Sequence, residues 1–178
     1  MGDGSRQIYH EKQLKQLCAL HTLNNLFQSA DAYSKCLLDE LCHRLSPNSW
    51  VNPHRSSLGL GNYDINVLIS ALQIRQCDMT WWDKRRSPTE IDTDNIVGFI
   101  LNISSNSKIG RFSLPFKSKH WIAVRRFGLV YYNLDSKLDE PFLIGPHNKL
   151  MEFLELLKLH TISKYNEYHL LVISNNIN

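Results

Sequence analysis

The apolar residues of this chain change their spacing part-way along, and that change limits the folds open to it. Up to about residue 75 they recur every three or four positions, the period of a helix with one buried face. Leu20, Leu23, Leu26 and Phe27 carry the pattern first, then Leu37, Leu38, Leu41 and Leu45, then Ile65, Leu68, Ile69 and Leu72. They predict helices over about Cys18–Gln28, Ser34–Leu45 and Ile65–Ile74. Ser34 and Asp64 suit N-caps, because their side-chain oxygens can accept from first-turn N–H groups. Ser29-Ala30-Asp31 breaks the first helix, and Pro47, which cannot continue an α-helix, stops the second. Residues 46–63, with Pro47, Pro53, Gly59 and Gly61, read as a loop long enough to expect function or mobility. Beyond it the apolar residues come in short runs. Met79–Trp82, Ile96–Ile103, His120–Phe127, Leu129–Asp135 and Tyr168–Ile173 read as strands, Ser104–Ser118 as a polar connection, and Leu150–Leu159 as a late helix. Helices first and mostly strands after predicts an α+β fold with an antiparallel sheet.

At 178 residues the chain can build one domain with a core of its own. A 43% hydrophobic and 21% charged composition excludes global disorder. The net charge of +3 is mild, and Lys117, Lys119, Arg125 and Arg126 stand without a long basic run, so a solvated face is expected and no nucleic-acid partner. The opening MGDGSRQIYHEKQ has no apolar signal core and lacks the Ser or Thr of a myristoylation signal. No stretch approaches the roughly 20 apolar residues that span a bilayer. The four cysteines, Cys18, Cys36, Cys42 and Cys77, are therefore expected as free thiols in a reducing, cytoplasmic setting, with the nucleus open to a chain this small. One domain over residues 8–174 is expected, with a flexible lead-in at 1–7 and a short tail at 175–178.

Cys18 stands where the first helix begins and has no second cysteine within three residues, so it is not a CxxC redox or zinc pair. A thiol at a helix N-terminus meets the positive end of the macrodipole, which favours thiolate. It becomes a nucleophile if a histidine arrives beside it. His21 is one turn along the same helix and reads as a packed or capped residue rather than a catalyst; no second ligand pair accompanies it, so no metal is expected. His120 opens a strand after a polar stretch. If the hairpin turn centres on Phe127-Gly128, Arg126 pairs with Leu129 and His120 falls opposite Asp135, with Asn133 opposite Ile122. Directly opposed side chains stand about 4.5–5.5 Å apart. A carboxylate beside an imidazole can fix its tautomer and stabilise imidazolium. The same pair also occurs as an ordinary cross-strand contact, and spacing alone leaves both readings open. Trp81 and Trp82 point to opposite sides of a strand, so the outer ring is a candidate contact, although packing of both under the helices is the simpler reading.

The segment YHEKQLKQLCALHTLNNLFQ resembles the catalytic opening of the Josephin family, and GNYDINVLISALQ, WWDKRR, His120-Trp121 and YYNLDSKL resemble further blocks of it in the same order. The likeness is nearest to the short stand-alone Josephin proteins. It implies a papain-like cysteine protease fold, with a helical N-terminal half containing a helical hairpin packed on a mainly antiparallel sheet. It implies a deubiquitinase with Cys18 as nucleophile, His120 as general base and acid, Asp135 orienting His120, and Gln13, five residues before Cys18, in the oxyanion hole. Some family members carry Asn at the position of Asp135. The partners implied are ubiquitin, ubiquitin chains or ubiquitinated proteins, gripped partly through Ile65, Asn66 and Trp121, with no metal or organic cofactor. A position that is aromatic in a long-tailed member is Arg75 here, so that part of the family surface is not expected to carry over. A ubiquitin-binding module with weak or no turnover is the alternative.

Overall fold

The helical spacing of the first half produces three helices, α1 (Cys18–Phe27), α2 (Lys35–Leu45) and α3 (Ile65–Ile74). The computed structural model that defines them describes residues 7–14, 16–56, 61–109, 112–160 and 168–176, without the side chains of 104–109, 112–118 and 160. Residues 1–6 of the expected lead-in, 57–60 of the expected loop and 177–178 of the expected tail lie outside the described residues. The caps are the expected ones. Ser34 Oγ accepts from Leu37 N–H at 3.1 Å, and Asp64 Oδ1 accepts from Asn66 and Val67 N–H at 3.0 and 3.2 Å. Helix α1 ends on Gln28 in the left-handed region, φ 59°.

The strands are β1 (Cys77–Trp81), β2 (Ile96–Ile109), β3 (Phe112–Phe127), β4 (Val130–Asn133), β5 (Phe142–Gly145) and β6 (Tyr168–Asn175), with α4 (His147–His160) before the last. Among the described residues they form a six-stranded sheet in the order β1-β6-β2-β3-β4-β5, paired antiparallel throughout. Two cores lie on its two faces. Ile100, Ala123, Leu171 and Ile173 pack with α1, α2 and α3, while Phe99, Leu101, Ile122, Leu170 and Val172 pack with Leu150, Met151 and Leu154 of α4. Burial on both faces explains why the β2 sequence VGFIL is a continuous apolar run and not an alternating one. Each fully buried Leu, Ile or Phe of that run contributes about 1.5–3 kcal/mol, so β2 and β6 form the stable centre. No helix among the described residues is long and apolar enough to cross a membrane.

Three local expectations need correction. The polar stretch 104–118 is not a connection: β2 and β3 continue through it as a ladder that reaches the pair Ile109–Phe112. Polar residues can form a ladder because the backbone hydrogen bonds do not depend on an apolar face. Trp81 and Trp82 are not both packed away. Trp81 is 48% exposed and stacks edge-on against His169, whereas Trp82 packs on the α4-side core with the Arg86 guanidinium over its ring. The hairpin turn centres on Gly128-Leu129, not on Phe127-Gly128, because Phe127 pairs with Val130. Gly128 has φ +59° and Leu129 is not in the left-handed region, the pattern of a turn that needs glycine first. The shift is two residues, so every side chain stays on its own face and the apolar alternation is equally satisfied by both registers.

This turn is testable. A Cβ on Gly128 meets nothing within 4 Å, so Gly128→Ala carries only the backbone cost of a left-handed residue. That variant is expected to lose about 1–2 kcal/mol in urea unfolding. Leu129→Ala, at an 88% exposed position, is expected to stay within about 0.5 kcal/mol.

Candidate active site

Cys18 is the first residue of α1 and is 5% exposed. The residue before it, Leu17, makes no side-chain cap, so the first-turn N–H groups of α1 are not taken by one. The approach to Cys18 is set by backbone contact instead. Gln16 bridges Gly61, and Gln16 O accepts from Asn62 N–H at 2.8 Å. Gly61 has φ +109°, and a Cβ there would stand 2.4 Å from Gln16 O and 2.8 Å from Leu17 Cδ2. The contact therefore requires glycine, and it ties the segment entering α3 to the start of α1.

His120, 3% exposed on β3, faces Asp135, with Nε2 2.7 Å from Oδ1. The two are not directly opposed. In the observed register Asn133 pairs with Val124 and β4 ends there. Leu134 N–H then bonds Ala123 O at 2.8 Å, and Asp135 follows in a turn that brings its carboxylate back to the imidazole. Asn133 Oδ1 accepts from Asp135 N–H at 2.9 Å, and Asp135 Oδ1 accepts from Lys137 N–H at 2.9 Å, so the backbone and the carboxylate of Asp135 are each held. Burial pulls the His120 imidazole down, but hydrogen bonds to Asp135 and to Cys18 outweigh it and leave its pKa above the ordinary value. Burial pushes Asp135 up, but hydrogen bonds from His120 and the Lys137 backbone outweigh it and leave the carboxyl below the ordinary value. With Nε2 on Asp135, Nδ1 is the ring nitrogen left for the thiol. Gln13 N–H donates to Ser136 O at 2.7 Å, beside Asp135. A thiol, an imidazole and a carboxylate thus converge at the start of a helix whose approach is anchored, the arrangement of nucleophile, base and orienter.

The Josephin family profile matches residues 13–166, most of the chain. The chain belongs to the Josephin family. It is similar to the Josephin-like protein of Drosophila melanogaster, 51% identical over 148 residues, which cover 83% of this chain and 67% of that protein. It is similar to human Josephin-2, 46% identical over 147 residues, covering 83% and 78%. Human Ataxin-3 is 27% identical over 156 residues, covering 78% of this chain and 39% of its own length.

Four positions named from the Josephin resemblance, Gln13, Cys18, His120 and Asp135, fall within the matched residues. Of the others, Ile65 and Trp121 line one open cavity of about 400 Å³, together with Tyr63, Asp64, Trp81 and Lys119; Cys18, His120 and Asp135 are not among its lining residues. Trp121 is 5% exposed, and its indole N–H donates to Tyr63 O at 3.1 Å. Asn66 is exposed and donates to its neighbour Asp64 at 3.0 Å; it is not among the cavity residues. Arg75 lies between Phe27 and Tyr33, 5.0 and 5.1 Å from their ring centroids, and donates to Ala32 O at 2.9 Å. Among the described residues no three His, Cys, Asp or Glu side chains cluster as metal ligands.

His21 is 6% exposed and bonds Glu11 and the Leu14 backbone, neither of which belongs to the Cys18–His120–Asp135 set. Glu11 and Asn25 were not singled out from the sequence, and Asn133 was placed only opposite Ile122, yet all three brace the site. Asn25 Nδ2 donates to Leu134 O at 3.0 Å, just before Asp135, and Asn25 Oδ1 accepts from Glu11 N–H at 2.6 Å. A signal was present. His21, Asn24, Asn25 and Gln28 form a polar stripe at helical spacing on a helix whose other face is Leu20, Leu23 and Leu26. On a buried helix such a stripe must find polar partners.

The pair imposes a pH dependence on stability. His120, raised above the ordinary 6.5, contributes stability that is complete below that value and is lost as pH rises through its folded pKa. Asp135, lowered below the ordinary 3.8, contributes stability that is complete above that value and is lost as pH falls through its folded pKa. The advantage of wild type over Asp135→Asn in urea unfolding is therefore expected to be greatest between the ordinary values 3.8 and 6.5 and to decline on both sides. An advantage that grows above that window would contradict the assignment of charge to this pair.

Proposed function

We propose that the protein is a cysteine-type deubiquitinase, a thiol-dependent hydrolase that cleaves the bond after ubiquitin's C-terminal glycine. The convergence of Cys18, His120 and Asp135 in a Josephin-family chain carries this reading. Cys18 gives its proton to His120, and the thiolate attacks the glycine carbonyl. The oxyanion is met by the Cys18 backbone N–H and the Gln13 side-chain amide. Imidazolium His120, stabilised by Asp135, protonates the departing lysine amine, and the neutral imidazole then takes a proton from the water that releases the thioester. The burial of His120 and Asp135 supports this division of roles, since each is charged most favourably when the other is.

The substrate is a ubiquitin conjugate, a ubiquitin chain or a ubiquitinated protein. Ile65 and Trp121, which line the open cavity, and Asn66 on the neighbouring surface are the residues proposed to contact ubiquitin. The exposed ring of Trp81 in the same cavity extends that surface.

Ubiquitin carrying a C-terminal electrophile is expected to form a covalent adduct with the wild type and none with Cys18→Ala. Bound ubiquitin without an adduct in the wild type would point to a binding module instead. Asp135→Ala is expected to lower kcat by about 10²- to 10⁴-fold, as loss of an orienting carboxylate does. Asn133→Ala, which removes only a support of the Asp135 turn, is expected to cost about tenfold. The reverse order would show that Asn133, not Asp135, is the third member.

A further inference from the structure

Resting on the proposed reaction, the question is what sets the Gln13 amide relative to Cys18. Leu14, next to Gln13, has a 68% exposed side chain, so its own packing does not hold the segment in place. Two backbone tethers bracket the position. Gln13 N–H donates to Ser136 O at 2.7 Å, on the loop that carries Asp135. Leu14 N–H donates to His21 Nε2 at 3.1 Å, on the helix that carries Cys18.

The second tether fixes a tautomer. A backbone N–H can only donate, so Nε2 of His21 must be the bare, accepting nitrogen and the ring proton must sit on Nδ1. Nδ1 lies 2.6 Å from Glu11 Oε2, which accepts that proton's hydrogen bond. Glu11 is itself held on its other oxygen by Asn24 Nδ2 at 3.0 Å and by the Tyr9 hydroxyl. Burial pushes the Glu11 carboxyl up, but hydrogen bonds from His21, Tyr9 and Asn24 outweigh it and keep the carboxyl below its ordinary range. The His21 and Glu11 side chains are only 8% and 17% exposed, so water competes little for these bonds.

We propose that His21, held in its Nδ1–H tautomer by Glu11, is a positioning residue for the oxyanion hole. It clamps Leu14 N–H to α1 and so sets the Gln13 amide against the Cys18 N–H. His21 touches neither the thiol nor the substrate. Its effect is confined to a step that develops an oxyanion, since the clamp contributes nothing to thiolate formation or to ubiquitin binding.

That confinement separates positioning from a purely structural role. His21→Asn keeps an amide N–H near the Nδ1 position to donate to Glu11, but it has no atom at the Nε2 position for Leu14. His21→Gln places an oxygen near the Nε2 position and can accept from Leu14 N–H. The assay is hydrolysis of a fluorogenic ubiquitin C-terminal amide, beside alkylation of Cys18 by iodoacetamide. Alkylation displaces iodide at a saturated carbon and needs the thiolate but no oxyanion hole. Cys36 is exposed and also free, so alkylation is read at Cys18 by peptide mass spectrometry.

His21→Asn is expected to lower kcat by about 10- to 100-fold, somewhat less than outright loss of an oxyanion donor, with KM unchanged. Its Cys18 alkylation rate is expected within about twofold of wild type, and His21→Gln is expected to restore most of kcat. An unchanged kcat in His21→Asn, equal loss in the Asn and Gln variants, or a parallel fall in alkylation would overturn the proposal. The wild type supplies a test independent of variant folding. Long-range proton–nitrogen NMR is expected to show His21 protonated on Nδ1 and bare on Nε2, and the opposite tautomer overturns the clamp. A wild type that neither forms the ubiquitin adduct nor hydrolyses the amide overturns the deubiquitinase reading and this role with it. An active wild type with an unaffected Asn variant overturns this role alone.

Discussion

All of α1 except Phe27 is buried, although the helix is not apolar all round. Leu20, Leu23 and Leu26 enter the core, whereas His21, Asn24 and Asn25 are buried with their polar atoms inward of solvent. An unsatisfied polar group in that position costs about 1–3 kcal/mol, so the helix can be seated only if other chain segments meet these side chains. They are met by Glu11 and Leu14 on one strip of backbone, by Leu134 on another, and in the case of Asn24 also by Ala30 and Tyr33. The strips are the ones that carry Gln13 and Asp135. The requirement that seats α1 therefore also brings the segments of Gln13 and Asp135 against the same helix.

A second constraint acts at that start. His120 and Asp135 are both withdrawn from water, and the cost of charging either alone is high. Opposite charges at 2.7 Å offset it, which is why the imidazole is held up and the carboxyl down despite burial acting against both. The supports of Asp135 from Asn133, Lys137 and His10 then matter as much as the carboxylate. A pair this dry is useful only if its geometry does not wander.

Much of the site was legible before the fold was known, but partly by a route the fold does not follow. Cys18 stood out because a helix start is a place for a thiolate. His120 and Asp135 were paired through a turn centred one residue too early. The true register differs by two residues, and because side chains in a strand alternate, both registers present the same faces. Apolar patterning could not separate them; the choice lay with the backbone demand for glycine at the first turn position. Asp135 reaches His120 from the turn after β4, not from a rung of the ladder. The extension of β2 and β3 through 104–118 was missed because its Ser, Asn and Lys residues read as a polar connection, although Phe112, Leu114 and Phe116 alternate there. His21 was recognised as a packed residue, but its partners lie seven and ten residues back on an irregular segment with no period to read.

The sequence by itself determined the helices and their caps, the central strands, the Josephin relationship and the place of Cys18 at a helix start. These depend on short-range spacing and on residue types, which a chain carries in its order. Only the tertiary structure decided the hairpin register, the exposure of Trp81, the requirement for glycine at Gly61 and the tautomer of His21. The backbone conformation at Gly128 sets the register, and the others are set by partners elsewhere in the chain: His169 for Trp81, Gln16 for Gly61, and Glu11 with Leu14 for His21. Hydrogen-bond geometry and steric contact act through space and leave no period in the sequence, so these features became readable only once the chain was folded.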